Sequence, residues 1–242
     1  PVLSKYAGTV PSVAGVEKAI DMNWYQADKT EYVIRNLKEL YGFACMASAT
    51  DFKGKTVKLA NDISVNAVDK SLLSAWKDGT KVATNPWICI GSSNKPFEGN
   101  FDGQGHRISG IYLKTEQQYT GMFGFVNPNG TVKNIRLEDS YFCNTNEKLA
   151  MMGSVAGETR GTIENVYSNA IVVAYGPQVG GIAARSNDND DDGVKDTAII
   201  HSCWFDGEVH LKGKSNTYVA GIVAAVVQGD LEVAHCLNTG TI

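Results

Sequence analysis

Four segments in the second half of the chain can be laid over one another: VKNIRLEDSY from Val132, IENVYSNAIV from Ile163, IHSCWFDGEV from Ile200 and VAHCLNTGTI from Val233. Each begins on an aliphatic residue and carries a further apolar residue three positions later, namely Ile135, Val166, Cys203 and Cys236. Ahead of each lies a piece rich in small residues: GMFGFV, GSVAGE, GGIAAR and AGIVAAV. The segments start 31, 37 and 33 residues apart, and the longest interval contains the insertion SNDNDDDGVKD. A period of this length is the mark of a stacked repeat. The short runs rich in Val and Ile, edged by Gly and Asn, point to β-strands. One such unit cannot bury its apolar face alone, so successive units must stack. The expected fold is therefore all-β, a parallel β-helix whose inward residues form ladders. Propeller blades need about 40–45 residues each, more than these units supply.

The first half has another character. Tyr32 to Ile34 resemble a short strand, and Asn36 opens an amphipathic helix with Leu37, Leu40, Tyr41, Ala44 and Cys45 on one face. Asn36 and Glu39 have the spacing of a capping box. A strand with Val57, Leu59 and Ile63 inward follows. This gives an N-terminal α-helical cap with a first rung over residues 1–65, a loop-rich insertion over 66–96, and repeats over 97–242, forming one domain. The last residues, Leu237 to Ile242, stop in mid-repeat, so the polypeptide is expected to continue or to be covered by another chain.

The string FEGNFDGQGHRISGIY, Phe97–Tyr112, concentrates glycines and polar groups. Phe97, Phe101, Ile108 and Ile111 read as inward residues. Gly99, Gly103 and Gly105 read as positive-φ corners, with Asp102 and His106 bonding backbone there, and the whole as a hinge between cap and repeats. The run from Asp21 to Tyr25, this string, and the glycine-led pieces Gly130-Thr131-Val132-Lys133-Asn134 and Gly161-Thr162-Ile163-Glu164-Asn165 resemble bacterial surface proteins with GLUG-type repeats. Some such segments adjoin IgA1-specific metallopeptidases. The resemblance spans roughly residues 21–242 and departs at Cys89, Ser202 and His235. It implies a right-handed β-helix, an extracellular or cell-surface location, and a scaffold or adhesin. It carries no catalytic residues over.

Motifs for common chemistries are missing. None of His106, His201, His210 and His235 is followed by Glu, so there is no H-E-x-x-H zinc site. Gly213-Lys214-Ser215 lacks the leading glycine of a phosphate loop, since that position is Glu208. The five cysteines include no C-x-x-C pair and read as small hydrophobes. Net charge is -4 with pI ≈ 5.6, which gives no pull toward nucleic acid. No apolar run approaches the roughly 20 residues of a membrane span.

Three candidate sites remain. Asp188, Asp190 and Asp192, with the Val194 carbonyl and Asp196, follow the first part of a calcium loop, although Ile199 stands where a bidentate Glu belongs. Trp76, in SLLSAWKDGTK, is the exposed aromatic candidate for ligand contact. A glycan-cleaving enzyme is the alternative function, and it would need carboxylates such as Asp102 with His106 and Arg107, or Glu138 with Asp139, to converge. The leading expectation is a non-catalytic scaffold that binds carbohydrate or a host surface protein.

Overall fold

The computed structural model describes residues 20–188, 193–213 and 217–242. The fold is mostly β, its strands pair in parallel, and the described residues contain two α-helices and no closed barrel. A 3-10 turn at Met22–Trp24 leads into β1 (Glu31–Ile34), α1 (Leu37–Met46), β2 (Thr56–Leu59), β3 (Ile63–Ser64), α2 (Lys70–Lys77), β4 (Asn100–Asp102) and β5 (Arg107–Ser109). Groups of strands then recur. The first is β6 (Tyr112–Thr115), β7 (Tyr119–Thr120), β8 (Phe123–Val126) and β9 (Thr131–Glu138). The second is β10 (Tyr141–Asn144), β11 (Met151–Gly153), β12 (Ala156–Thr159) and β13 (Thr162–Ser168). The third is β14 (Ile171–Ala174), β15 (Gln178–Gly180), β16 (Ala183–Ser186), β17 (Thr197–His201) and β18 (Trp204–Phe205). The last is β19 (Glu208–Leu211), β20 (Tyr218–Ala220), β21 (Val223–Val226), β22 (Asp230–Ala234) and β23 (Leu237–Asn238).

Each strand pairs with its counterpart one group away. Three sheets of four strands result, ordered β6-β10-β14-β19, β7-β11-β15-β20 and β8-β12-β16-β21. The largest sheet runs β1-β2-β4-β9-β13-β17-β22, with β3, β5, β18 and β23 beside that path. Its register aligns Tyr32, Val57, Phe101, Val132, Ile163 and Ile200, all buried, on one inward row. Each such side chain contributes about 1.5–3 kcal/mol by leaving water. The backbone groups of one strand meet those of the next group, so interior strands leave no open edge.

The helix read from Asn36 is α1: the Asn36 side chain accepts from the Glu39 N–H at 3.1 Å, and the Glu39 carboxylate accepts from the Arg35 N–H. Leu40, Tyr41, Phe43, Ala44, Cys45 and Met46 are all buried in the main core.

Several local expectations need correction. The loop-rich segment 66–96 also contains α2, with Asp69 as its N-cap. Trp76 belongs to α2 and is 1% exposed, so it is not an open aromatic surface. Its ring lies 5.1 Å from Tyr112, within a second apolar cluster that includes Tyr141, Cys143, Ile171 and Val173. The outer face of the β6-β10-β14 sheet is apolar there, and α2 covers it. Phe97–Tyr112 is not a hinge: Phe97, Phe101, Ile108 and Ile111 are buried, and β4 is an interior strand between β2 and β9. Of its first three glycines, Gly105 alone has positive φ, at 80°. Gly103 serves close approach instead, since a Cβ there would lie 2.4 Å from the Asn134 carbonyl oxygen. Ile135, Val166 and Cys203 are buried at 0–1% exposure, whereas Cys236 in the last group is only partly covered.

Candidate functional site

Within β13, Ile163 points inward and Glu164 outward, and Asn165 then takes a left-handed backbone with φ of 51°. That extra residue shifts the alternation by one, as a bulge does. Val166 and Ser168 therefore turn inward and Tyr167 outward. The same shift occurs at Asn134 (φ 54°), Ser202 (φ 54°) and His235 (φ 55°). Asn is among the few residues that adopt this region readily.

Ahead of the shift, the outward row is Lys58, Asp102, Lys133 and Glu164, which alternates in sign, followed by His201. Opposite charges on neighbouring strands stabilise a sheet by a few tenths of a kcal/mol per pair, about 0.2–1 kcal/mol. After the shift, the outward row is Arg107, Arg136, Tyr167, Trp204 and Leu237, in register across β5, β9, β13, β18 and β23. Tyr167 and Trp204 meet edge to face at 5.1 Å. Trp204 is 42% exposed. A cavity of about 410 Å³ opens against Arg136, Tyr167 and Trp204.

The chain then turns a second corner, where Asn169, Asp206 and Thr239 line up and Asp139 sits beside Asn169. The Asp139 N–H donates to Asn169 Oδ1 at 2.8 Å. Trp204 Nε1–H donates to Thr239 Oγ1 at 2.7 Å, and the Thr239 hydroxyl donates to Asp206. The indole is thus held by its polar edge. These corner residues, with Tyr167, Glu208 and Leu73 of α2, line a second cavity of about 360 Å³ that shares Tyr167 with the first. Burial, then the carboxylates of Asp206 and Glu138, raises the Tyr167 phenol above its usual value. It therefore stays a neutral hydroxyl at physiological pH.

The carboxylates proposed for catalysis are held apart. Asp102 accepts from the Gln104 N–H and from Asn134 Nδ2, both at 2.9 Å. His106 Nδ1 instead meets Asp62 at 3.2 Å, and the Arg107 N–H donates to the same carboxylate at 3.0 Å. Glu138 is bound by Arg107 and Arg136, while Asp139 lies at the second corner. Arg107 also lies 3.8 Å from Asp62 and so links it to Glu138, while Asp102 keeps its own partners. Glu158, 1% exposed, is paired with Arg185 at 2.6 Å, and Arg185 also reaches the Tyr119 hydroxyl at 2.7 Å. A third cavity, lined by Trp87, Cys89, Leu113, Lys114 and Gln117, measures about 360 Å³. Burial raises the Cys89 thiol to about 11, so it is not a thiolate at neutral pH.

Of the acidic insertion, Asp188, Val194 and Asp196 are described, and the Asp196 N–H donates to Asp188 at 3.0 Å. Asp190 and Asp192 lie outside the described residues. Among the described residues, no group of three or more His, Cys, Asp or Glu is arranged to hold a metal ion. No helix among them is long and apolar enough to cross a membrane, which says nothing of β-barrels.

The aromatic row was open to discovery by sequence. Arg136, Tyr167, Trp204 and Leu237 occupy the same fifth position in the four aligned segments. What the sequence left undecided was whether that position faces in or out.

No family model matches this chain. It is 36% identical over 81 residues to a protein of Evansella cellulosilytica provisionally named a Gly-rich membrane protein, a match covering 33% of this chain and 9% of that protein. It is 26% identical over 162 residues to halomucin of Haloquadratum walsbyi, covering 66% of this chain and 2% of that protein. The chain thus spans less than a tenth of either relative. Among solved structures, a protein of Bacteroides ovatus provisionally named an immunoglobulin A1 protease is similar at a TM-score of 0.43 and 16% identity. That likeness covers 95% of this chain and 80% of the other, and neither fold nor activity is carried over from it.

Proposed function

We propose that this chain is a segment of a right-handed parallel β-helix in a bacterial surface or secreted protein, related to the GLUG-repeat proteins. It acts there as a non-catalytic scaffold or adhesin, with α1 as its N-terminal cap. The observation that carries the reading is the register: strands of every group pair in parallel with their counterparts in the next, with inward rows continuous from Tyr32 to Ile200. A connection between parallel strands is right-handed in nearly all proteins. Asp102, bound by the Asn134 amide, and Glu138, bound by Arg107 and Arg136, have separate partners, which supports binding rather than bond cleavage. The named relatives, a membrane protein and halomucin, support a surface location.

Antibodies raised against this chain should label intact cells of the source organism, and trypsin added outside should remove the label. Labelling that requires permeabilised cells would overturn the surface reading. Purified chain incubated with neutral and acidic polysaccharides should release neither reducing ends nor unsaturated products. Turnover would favour the glycan-cleaving alternative.

A further inference from the structure

We propose that Tyr167, Trp204 and the adjoining Asp139–Asn169–Asp206 corner form a binding site for a neutral glycan. The site deepens the reading of this chain as an adhesive scaffold and rests on it.

Three observations converge. First, two aromatic rings on neighbouring strands present apolar surface outward, and one of them is substantially exposed. Exposed aromatic faces of this kind suit a ligand with one apolar face and a polar edge, which describes the C–H face and hydroxyl rim of a pyranose. Second, Trp204 is not loosely attached: its indole N–H is tied to Thr239, and Thr239 to Asp206. A ring held in place loses little conformational freedom on binding. Third, the cavity beside Tyr167 is lined by Asp139, Asn169, Asp206, Glu208 and Thr239 and by no basic side chain. Asp139 and Asp206 accept from hydroxyls and disfavour an anion, while Glu208 is already paired with Lys77 and His210, so the lining favours a neutral sugar over uronates, sulfated sugars and phosphates. Arg136, at the far side of Tyr167, is already paired with Glu138. Few convergent polar groups beside an apolar wall are the usual make-up of a small-molecule site.

The geometry also sets an orientation. Tyr167 and Trp204 are register partners on adjacent strands, which are about 4.8 Å apart. Because the rings meet edge to face, a sugar would stack on the Trp204 indole with its hydroxyls turned to the corner. Leu73 of α2 also lines the cavity.

The test uses the whole chain against immobilised neutral hexasaccharides of gluco, manno and galacto configuration, alongside polygalacturonate and heparin. At least one neutral series should bind and shift the tryptophan emission. Trp204→Ala and Tyr167→Ala should each weaken that binding at least tenfold, with melting temperatures close to wild type because both side chains lie on the outer face. Tyr167→Phe should retain most of the affinity. Silence toward every neutral series would overturn the site, as would binding unchanged by Trp204→Ala. Stronger, salt-sensitive binding to polygalacturonate or heparin would overturn the choice of a neutral ligand. Selection of peptides by Tyr167 and Trp204 from a displayed library, with no sugar bound, would make the surface a protein-binding one. If antibody labels intact cells while the neutral sugars fail to bind, the site alone is refuted. If labelling fails as well, the scaffold reading falls with it.

Discussion

The Asn165 Nδ2–H donates to Asn134 Oδ1 at 2.8 Å, one strand group away, and both residues have a left-handed backbone. Asn134 in turn donates to Asp102 at 2.9 Å. This row of side-chain amides runs along the corner where the alternation of the large sheet changes phase. It explains the Asn of the repeated G-T-I-x-N pattern: the position needs a residue that tolerates positive φ and can bond to its neighbours above and below. Ser202 and His235 keep the backbone conformation in the later groups.

Asn134→Ala should be the more damaging change along this corner. It loses both amide contacts, each worth about 0.5–1.5 kcal/mol, and forces Ala into a conformation costing about 1–2 kcal/mol. Asn134→Gly removes the contacts while relieving the backbone, so it should destabilise by roughly 1–2 kcal/mol less than Ala. Urea unfolding of the two variants checks the ordering. Equal losses would mean that the backbone conformation is not what selects Asn.

Trp76→Ala should destabilise the chain by about 3–5 kcal/mol, the usual result of emptying a large buried aromatic site. Trp76→Phe should come much closer to wild type, because the indole N–H has no hydrogen-bond partner to lose. Thermal melts, with hydrogen exchange of residues 70–77, would show whether α2 detaches from the sheet. A stable Ala variant would contradict the packing role.

Removing Glu158 should cost about 3–5 kcal/mol, because its buried carboxylate sits between the Arg185 and Arg160 guanidiniums. Arg185→Met, which leaves Glu158 its contact with Arg160, is therefore expected to cost less than Glu158→Met. The double-mutant cycle, read by denaturant midpoints, should show strong coupling, and additive losses would argue that the pair is solvated.

Glu208 is held below its usual carboxylate value, first by the hydrogen bond from the Lys77 ammonium and then by His210. A lowered folded value means that the unfolded chain binds the proton first. The resulting stability is present above the unfolded value, about 4.3, and is lost as pH falls through the folded one. Glu208→Gln should thus flatten the decline in stability between about pH 5 and pH 3. An unchanged slope would show that the α2 clamp of Lys77 on β19 contributes nothing measurable.

The mostly-β class and the parallel pairing were legible in the repeat at Val132, Ile163, Ile200 and Val233, because a regular period of short apolar runs admits few other ways of burying them. The helix α1 was legible too, through its Asn36 cap and apolar face. The second helix was missed although Asp69, Leu72, Leu73 and Trp76 have helical cap and spacing signals, since the surrounding Asp, Gly and Asn residues read as loop. Composition and local pattern by themselves determined that the chain must stack strand on strand, and which residues occupy equivalent places in each repeat. Only the tertiary structure decided which way those places face. A left-handed residue at Asn165 and its counterparts inverts the alternation, and α2 buries Trp76 on an outer face. Trp204 is thereby left as an exposed ring, and the distinction between the two tryptophans depends on contacts with residues distant in the chain, such as Tyr112 and Tyr141 for Trp76.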